Sequence, residues 1–316
     1  MSTMHAVRAH ARGGPEQLVY EQAPRPEPGP GEVLVAVKAA SMTPDELTWP
    51  ETWTYTADGT GPERTPVIPS HEFSGVVAAT GEGVRSPAEG EAVYGLIPFV
   101  HDGAAAEYVA LPAALVAAKP STVDHEHAAA IPLAALSAWQ ALVVHAGLQP
   151  GQHVLVQGGA GGVGSYVVQL AAGLGARVSA TASAADLDFV RGLGAEQVID
   201  YANQRFEDHV RDVDVVVDLV GGATQTRSFA VLKPGGVLVA IAAPPDQQEA
   251  ARHGVRAVFF IVEPDPQALR AIAGLVDDGR VRPVVDRVLP LAETRAGYEA
   301  LEKGKRRGKI VIHVAD

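Results

Sequence analysis

The stretch Gly158-Gly159-Ala160-Gly161-Gly162-Val163-Gly164 constrains this chain more than any other. It follows HVLVQ at 153–157, which reads as a buried strand, and it opens an apolar segment at 163–175 that reads as a helix. Gly159, Gly161 and Gly164 satisfy the G-x-G-x-x-G spacing. In a strand–turn–helix setting the first glycine makes the tight turn and the second lets the backbone approach a pyrophosphate. The third allows close helix–strand packing, and the helix N-terminus supplies free N–H groups and a positive dipole end. Gly159, Ala160, Gly161, Gly162, Val163 and Gly164 are therefore expected to cradle a dinucleotide; the alternative is a glycine-rich turn of purely structural value.

Further strands are expected at RVSATA (177–182), QVID (197–200), VDVVVDLV (213–220), GVLVAIA (236–242) and VRAVFFIVE (255–263), with helical segments between most of them. Strands alternating with helices imply right-handed crossovers and a doubly wound parallel sheet. Residues 5–120 read differently: short apolar or alternating runs at 33–40, 73–80, 92–97 and 106–112, separated by Gly and Pro clusters, imply a mostly antiparallel barrel. After Glu263 come two helical stretches, near 266–278 and 292–302, and a last strand, KIVIHV, at 309–314. A lone strand needs partners, so it is expected to return to the N-terminal unit. The expected division is residues 1–122 with 264–316 as one domain and 123–263 as the other, with the active site in the cleft between them.

Ala128 to Val144 is apolar and uncharged, but it is shorter than the ~20 residues of a bilayer crossing. It also holds Pro132, Ser137 and Gln140, and reads as a buried helix entered by a helix N-cap at Asp124. Lys and Arg number 25 against 37 Asp and Glu, so the net charge of −12 disfavours nucleic acid and anionic membranes as partners. The chain has no Cys, which excludes disulfides, iron–sulfur clusters and thiolate nucleophiles. The N-terminal MSTMHAVRAHARGG has no continuous apolar run, so a cytoplasmic location is expected.

An NAD site usually sets an Asp or Glu about 20 residues beyond the glycines to bind the ribose 2′-hydroxyl. Here the strand ends Thr181-Ala182-Ser183-Ala184, with no carboxylate to repel a 2′-phosphate, so NADPH is the expected cofactor. Thr181 and Ser183 are candidate donors to that phosphate, and Tyr201 or Arg191 candidates to reach it. Ser183 reads equally well as a cap of the next helix. Asp218-Leu219-Val220-Gly221-Gly222 ends the fourth strand, placing Val220 and Gly221 beside the nicotinamide ribose.

VLVQGGAGGVGSYVVQLAAGLGARV (154–178), LGAEQVIDY (193–201), VDVVVDLVGG (213–222), LKPGGVLV (232–239), AAEYVALP (105–112), AAAIPLAALSAWQAL (128–142) and RGKIVI (307–312) together resemble one family. It is the zinc-independent quinone oxidoreductase branch of the medium-chain dehydrogenase/reductase superfamily. The resemblance covers nearly the whole chain. It implies an α/β fold in which a Rossmann domain is inserted into a discontinuous GroES-like β-barrel domain. It also implies NADPH-dependent reduction of quinones, enones or enoyl thioesters, and a homodimer formed through the last Rossmann strand.

Aligned with zinc-dependent relatives, the first cysteine position falls at Thr43, the histidine at His71 and the third ligand near Leu133. One imidazole and one hydroxyl do not make a zinc site, so no metal is expected. Hydride transfer to an electron-poor acceptor needs only hydrogen bonds to the forming oxyanion. The family's Asn-Pro-x-Asp pattern appears as Thr43-Pro44-Asp45-Glu46. Thr43 is a candidate donor to the acceptor oxygen, and Glu46 a candidate to orient a water or the nicotinamide ribose. The same four residues also read as a helix start, with Thr43 as N-cap and Glu46 closing a capping box. His71 is either a proton donor or a histidine hydrogen-bonded at a strand start, with Glu72 as one candidate partner. Trp49, Trp53 and Tyr55 either stack on a flat substrate or pack on the barrel or a subunit interface. A non-catalytic NADPH-binding sensor or partner-binding protein on the same fold is the alternative, kept open by the altered Thr43–Glu46 pattern.

Overall fold

The computed structural model describes residues 2–56, 58–304 and 306–315. The chain begins with β1 (Thr3–Ala9), β2 (Leu18–Pro24), β3 (Glu32–Ser41), β4 (Glu72–Thr80), β5 (Ala92–Leu96), β6 (Tyr108–Pro112), β7 (Val116–Ala118) and α1 (His125–Ala129). Next come α2 (Pro132–Trp139), β8 (His153–Gln157), α3 (Gly162–Gly173), β9 (Arg177–Ala182), α4 (Leu187–Arg191), β10 (Gln197–Asp200), β11 (Val213–Asp218), α5 (Gly222–Ser228), β12 (Leu232–Ala240), α6 (Gln247–Arg252) and β13 (Arg256–Phe259). α7 (Pro266–Asp277), β14 (Val285–Pro290), α8 (Thr294–Glu302) and β15 (Lys309–His313) complete it.

Residues 1–133 and 263–316 form one compact unit, 134–262 the other. The sequence sets the first boundary at 122/123, but α1 lies with the first unit. Ala129 and Ala130 are buried against Ala39 of β3 and Val311 of β15. Asp124 caps α1 by accepting from the His127 N–H at 2.8 Å.

In the first unit a seven-stranded sheet runs β14-β15-β3-β4-β5-β7, with β6 also paired to β3, and β1 and β2 form a separate antiparallel pair. All pairings except β14 with β15 are antiparallel. The core holds Val33, Val35 and Val37 of β3, Phe73 of β4, and Ile310 and Ile312 of β15, alternate residues whose side chains share one face of each strand. β15 thus returns to the N-terminal unit and pairs with β3 in the register Val311↔Ser41.

In the second unit six parallel strands are ordered β10-β9-β8-β11-β12-β13, the doubly wound order in which the chain reverses direction beside β8. Val154, Leu155 and Val156 are fully buried, as a central strand covered on both faces requires. Ala128 to Val144 is not one helix. Pro132 lacks an N–H and starts α2 afresh, and a π-helical turn follows at Gln140–His145. The expected strand at 255–263 is shorter, Arg256–Phe259. Among the described residues no helix is long and apolar enough to cross a membrane.

Candidate functional site

The glycine turn sits at the carboxyl end of β8. Gly158 takes φ +86°, a conformation open to glycine at little cost. A Cβ on Gly164 would lie 2.0 Å from the Gly158 carbonyl oxygen, so only glycine lets α3 approach the turn this closely. A Cβ on Gly159 would meet Ala180 Cβ at 3.0 Å, whereas one on Gly161 would meet nothing nearer than 3.5 Å. Gly161 is therefore the residue whose missing side chain leaves open room. Gly161 caps α3 without a side-chain hydrogen bond, so the first-turn N–H groups are left to a ligand. These features fit a dinucleotide pyrophosphate.

Thr181 does not face a ligand. It is buried, its hydroxyl donates to Gln157 Oε1 at 2.9 Å, and it accepts from the Gly158 N–H at 3.0 Å. It ties β9 to the turn instead of donating to a phosphate. Ser183 makes no cap of the following turn; its hydroxyl donates to Asp186 Oδ2 at 2.6 Å. Tyr201 is exposed, and its N–H bonds the Ala182 carbonyl, which keeps it beside the end of β9. Arg191 is ion-paired with Asp188. Buried Asp218 accepts from the Val220 and Gly221 N–H groups, each at 3.1 Å, and from Gln225 Nε2 at 2.9 Å. This carboxylate holds the loop after β11, and Val220 Cγ2 would lie 3.4 Å from a Cβ on Gly158. The structure thus brings Val220 and the glycine turn together at the carboxyl edge of the sheet. Sequence reasoning missed Gln157, whose only signal is a polar residue ending an apolar strand.

In the barrel unit Thr43-Pro44-Asp45-Glu46 is not a capping box. Asp45 has φ +61°, a 3-10 turn follows at Glu46–Thr48 without a side-chain cap, and Glu46 points inward at 1 % exposure. Glu46 Oε1 accepts from the Ser70 N–H at 2.8 Å and meets His71 Nδ1, while Oε2 accepts from the Tyr298 hydroxyl at 2.7 Å. Burial pushes the Glu46 carboxyl up. The hydrogen bond and charge of His71, with Tyr298 and Ser70, outweigh it and hold the group below its ordinary value. Burial and the neighbouring Glu46 charge raise the Tyr298 phenol well above its own.

His71 is equally enclosed. Its Nε2 donates to the His101 carbonyl at 3.0 Å, and Nδ1 meets Glu46 Oε1 rather than Glu72. Neither nitrogen is free to protonate a substrate, and neither Glu46 oxygen is free to orient a water. Trp53 is also buried, with its indole N–H on the Leu47 carbonyl at 2.8 Å, so it packs in the barrel and offers no face for stacking. Trp49 is half-buried edge-on to Phe99, and Tyr55 is exposed. In the basic run from Lys303 to Lys309, Lys309 is carried into the interior, where it is 4 % exposed; Lys305 lies outside the described residues.

Thr43 remains. Its Oγ1 accepts from Lys309 Nζ at 3.1 Å, and Lys309 Nζ lies 2.6 Å from Glu72 Oε1. Glu72 Oε2 accepts from the Leu133 N–H, at 2.9 Å, at the start of α2. Two of the three zinc-ligand positions, 43 and 133, thus carry a hydroxyl and an alkyl chain, and the third is the committed His71. Among the described residues no three His, Cys, Asp or Glu side chains converge as metal ligands. This donor set does not fit zinc.

The alcohol dehydrogenase GroES-like domain family matches residues 29–121, and the zinc-binding dehydrogenase family matches 193–312. The chain is 36 % identical over 264 residues to a 2-methylene-furan-3-one reductase of Solanum lycopersicum, covering 78 % of this chain and 64 % of that protein. It therefore spans under two thirds of that relative. It is 33 % identical over 301 residues to an NADPH-dependent alkenal/one oxidoreductase, chloroplastic, of Arabidopsis thaliana, covering 91 % and 73 %. The structure of the quinone oxidoreductase from Coxiella burnetii superposes with a TM-score of 0.89 at 30 % identity, covering 99 % of this chain and 100 % of that one.

A Rossmann sheet with its glycine turn and a GroES-like barrel without a zinc donor set place the chain in one group of oxidoreductases. It belongs to the zinc-independent quinone oxidoreductase type of the medium-chain dehydrogenase/reductase superfamily. It is an enzyme of the NAD(P)H-dependent oxidoreductase type.

Proposed function

We propose that the enzyme uses NADPH to reduce quinones or α,β-unsaturated carbonyl compounds. The observation that carries this reading is Thr43, whose hydroxyl oxygen accepts from a buried ammonium and so keeps its own hydrogen for an acceptor oxygen. The relatives named for 2-methylene-furan-3-one, alkenal/one and quinone substrates support the acceptor class. When bound, the reduced nicotinamide supplies a hydride. The first-turn N–H groups of α3 would hold the pyrophosphate, and Val220, close beside Gly158, would shape the edge offered to the ribose. Thr43 meets the negative charge that develops on the acceptor oxygen. No carboxylate stands at the end of β9 or at the two residues after it, Ala182-Ser183-Ala184, where an NAD site would bind the ribose 2′-hydroxyl, and the Asp186 carboxylate beyond is engaged by the Ser183 hydroxyl; this supports NADPH over NADH.

The same reading includes a homodimer. β13 ends its sheet, and Phe259 and Ile261 are exposed beside it, an arrangement that pairing with a second copy would cover. The function is tested by anaerobic mixing of enzyme and NADPH with a panel of quinones and enones. Acceptor-dependent oxidation of NADPH is the expected result, and no rate above background across the panel would refute it.

A further inference from the structure

The far end of β3 holds a buried ammonium that the reaction above leaves without a role. β15 pairs with β3 in the register Val311↔Ser41, and two further residues along this antiparallel ladder set Lys309 opposite Thr43. β4 pairs with β3 on its other side in the register Ser41↔Glu72, which brings the Glu72 carboxylate to the same point. Lys309 is 4 % exposed and Glu72 fully buried. Placing both charges there is costly unless each is paired, and they pair by charge at 2.6 Å, although Glu72 Oε1 accepts no aligned hydrogen bond.

An ammonium has donors only, so at the 3.1 Å contact Thr43 Oγ1 must accept. The Thr43 hydrogen is then directed elsewhere, and among the described residues it is donated to no group. Accepting a charge-assisted hydrogen bond polarises a hydroxyl and makes it a stronger donor. The second Glu72 oxygen is held by the Leu133 N–H, which fixes the carboxylate and through it the ammonium.

We propose that Lys309 is a positioning residue: anchored by Glu72, it orients and polarises Thr43 so that the threonine hydroxyl donates to the acceptor oxygen as charge builds there. This rests on the reading of Thr43 given under the proposed function. For an enone, hydride adds to the β-carbon, the C=C pair shifts toward the carbonyl, and an enolate oxygen carries the charge. Thr43 keeps its proton, and water protonates the α-carbon. The dinucleotide is oxidised by two electrons and the acceptor reduced by two. A strongly electron-poor quinone needs little such help, so the contribution of Lys309 depends on the acceptor. A purely structural lysine would affect all acceptors alike.

The test is single-turnover reduction of a weak acceptor, benzalacetone, and a strong one, 1,4-benzoquinone, by wild type, Lys309→Met, Lys309→Arg, Thr43→Val and the Lys309→Met/Thr43→Val double variant. Lys309→Met is expected to slow benzalacetone reduction roughly ten- to a hundredfold and benzoquinone reduction by less than about threefold, with little change in KM. Lys309→Arg restores most of the rate. The double variant is no slower than Thr43→Val, because both act at one hydrogen bond. A second readout needs no turnover: the carbonyl stretch of benzalacetone, bound with NADP+, shifts toward its free-solution frequency in Lys309→Met. If Lys309→Met does not fold, Lys309→Met/Glu72→Gln removes both charges together and takes its place. Equal losses on both acceptors, multiplicative effects in the double variant, or an unmoved carbonyl stretch would overturn the proposal. A wild type that reduces neither acceptor overturns the parent reading and this one with it; a wild type that turns over with additive variants overturns this one alone.

Discussion

The Tyr298 hydroxyl donates to Glu46 Oε2 at 2.7 Å, joining α8 to the turn after β3 across 252 residues of sequence. Ser70 and His71 occupy the other Glu46 oxygen, so loop, strand start and C-terminal helix meet at one buried carboxylate. This lock positions the chain just beyond Thr43.

Tyr298→Phe leaves one Glu46 oxygen without its donor. The expected cost is about 1–3 kcal/mol of stability, read from urea unfolding. A loss no larger than that of an exposed surface substitution would show that the lock carries no weight.

The lock also has a pH signature. Glu46 is held below its ordinary value of 4.5 in the folded chain. Its stabilising contribution is therefore complete above 4.5 and is lost as pH falls from there through the lower folded value. Unfolding free energy measured from neutral to acid pH should fall more steeply in wild type than in Glu46→Gln. Parallel profiles would contradict this.

The glycine turn separates fold from ligand. Gly164→Ala forces a Cβ against the Gly158 carbonyl and should cost about 1–3 kcal/mol or more. Gly161→Ala meets only an ordinary contact and should stay within about 0.5 kcal/mol of wild type while weakening NADPH binding. Calorimetric titration beside thermal unfolding checks both. A Gly161→Ala variant with undiminished NADPH affinity would place the pyrophosphate elsewhere.

Asp186 accepts the Ser183 hydroxyl and sets a negative charge near the proposed 2′-phosphate position. Asp186→Ser frees that hydroxyl and should tighten NADPH relative to NADH by about fivefold, the scale of one exposed charge interaction near 1 kcal/mol. An unchanged ratio would remove Ser183 from the cofactor site.

Much of the second unit was legible because parallel strands buried on both faces read as continuous apolar runs. RVSATA and QVID match β9 and β10 residue for residue. β14, VDRVLP, was missed because it is half exposed and charged, and β1 and β2 because their polar faces mask the alternation. The site was less legible. Glycines at fixed spacing announce a local turn, but the roles of Glu46, His71 and Lys309 depend on partners 252, 25 and 266 positions away. Thr181 was misread for the same reason: its strand position was right, but the inward hydrogen bond to Gln157 is a tertiary fact.

The central claim is hydride transfer from NADPH to the electron-poor carbon of a conjugated acceptor. Its most direct measurement uses NADPH deuterated at nicotinamide C4, benzalacetone and the enzyme without oxygen, with the product read by NMR. Deuterium at the β-carbon of a saturated ketone is the expected result. Deuterium on the carbonyl carbon of an allylic alcohol would contradict it and assign the enzyme to carbonyl reduction.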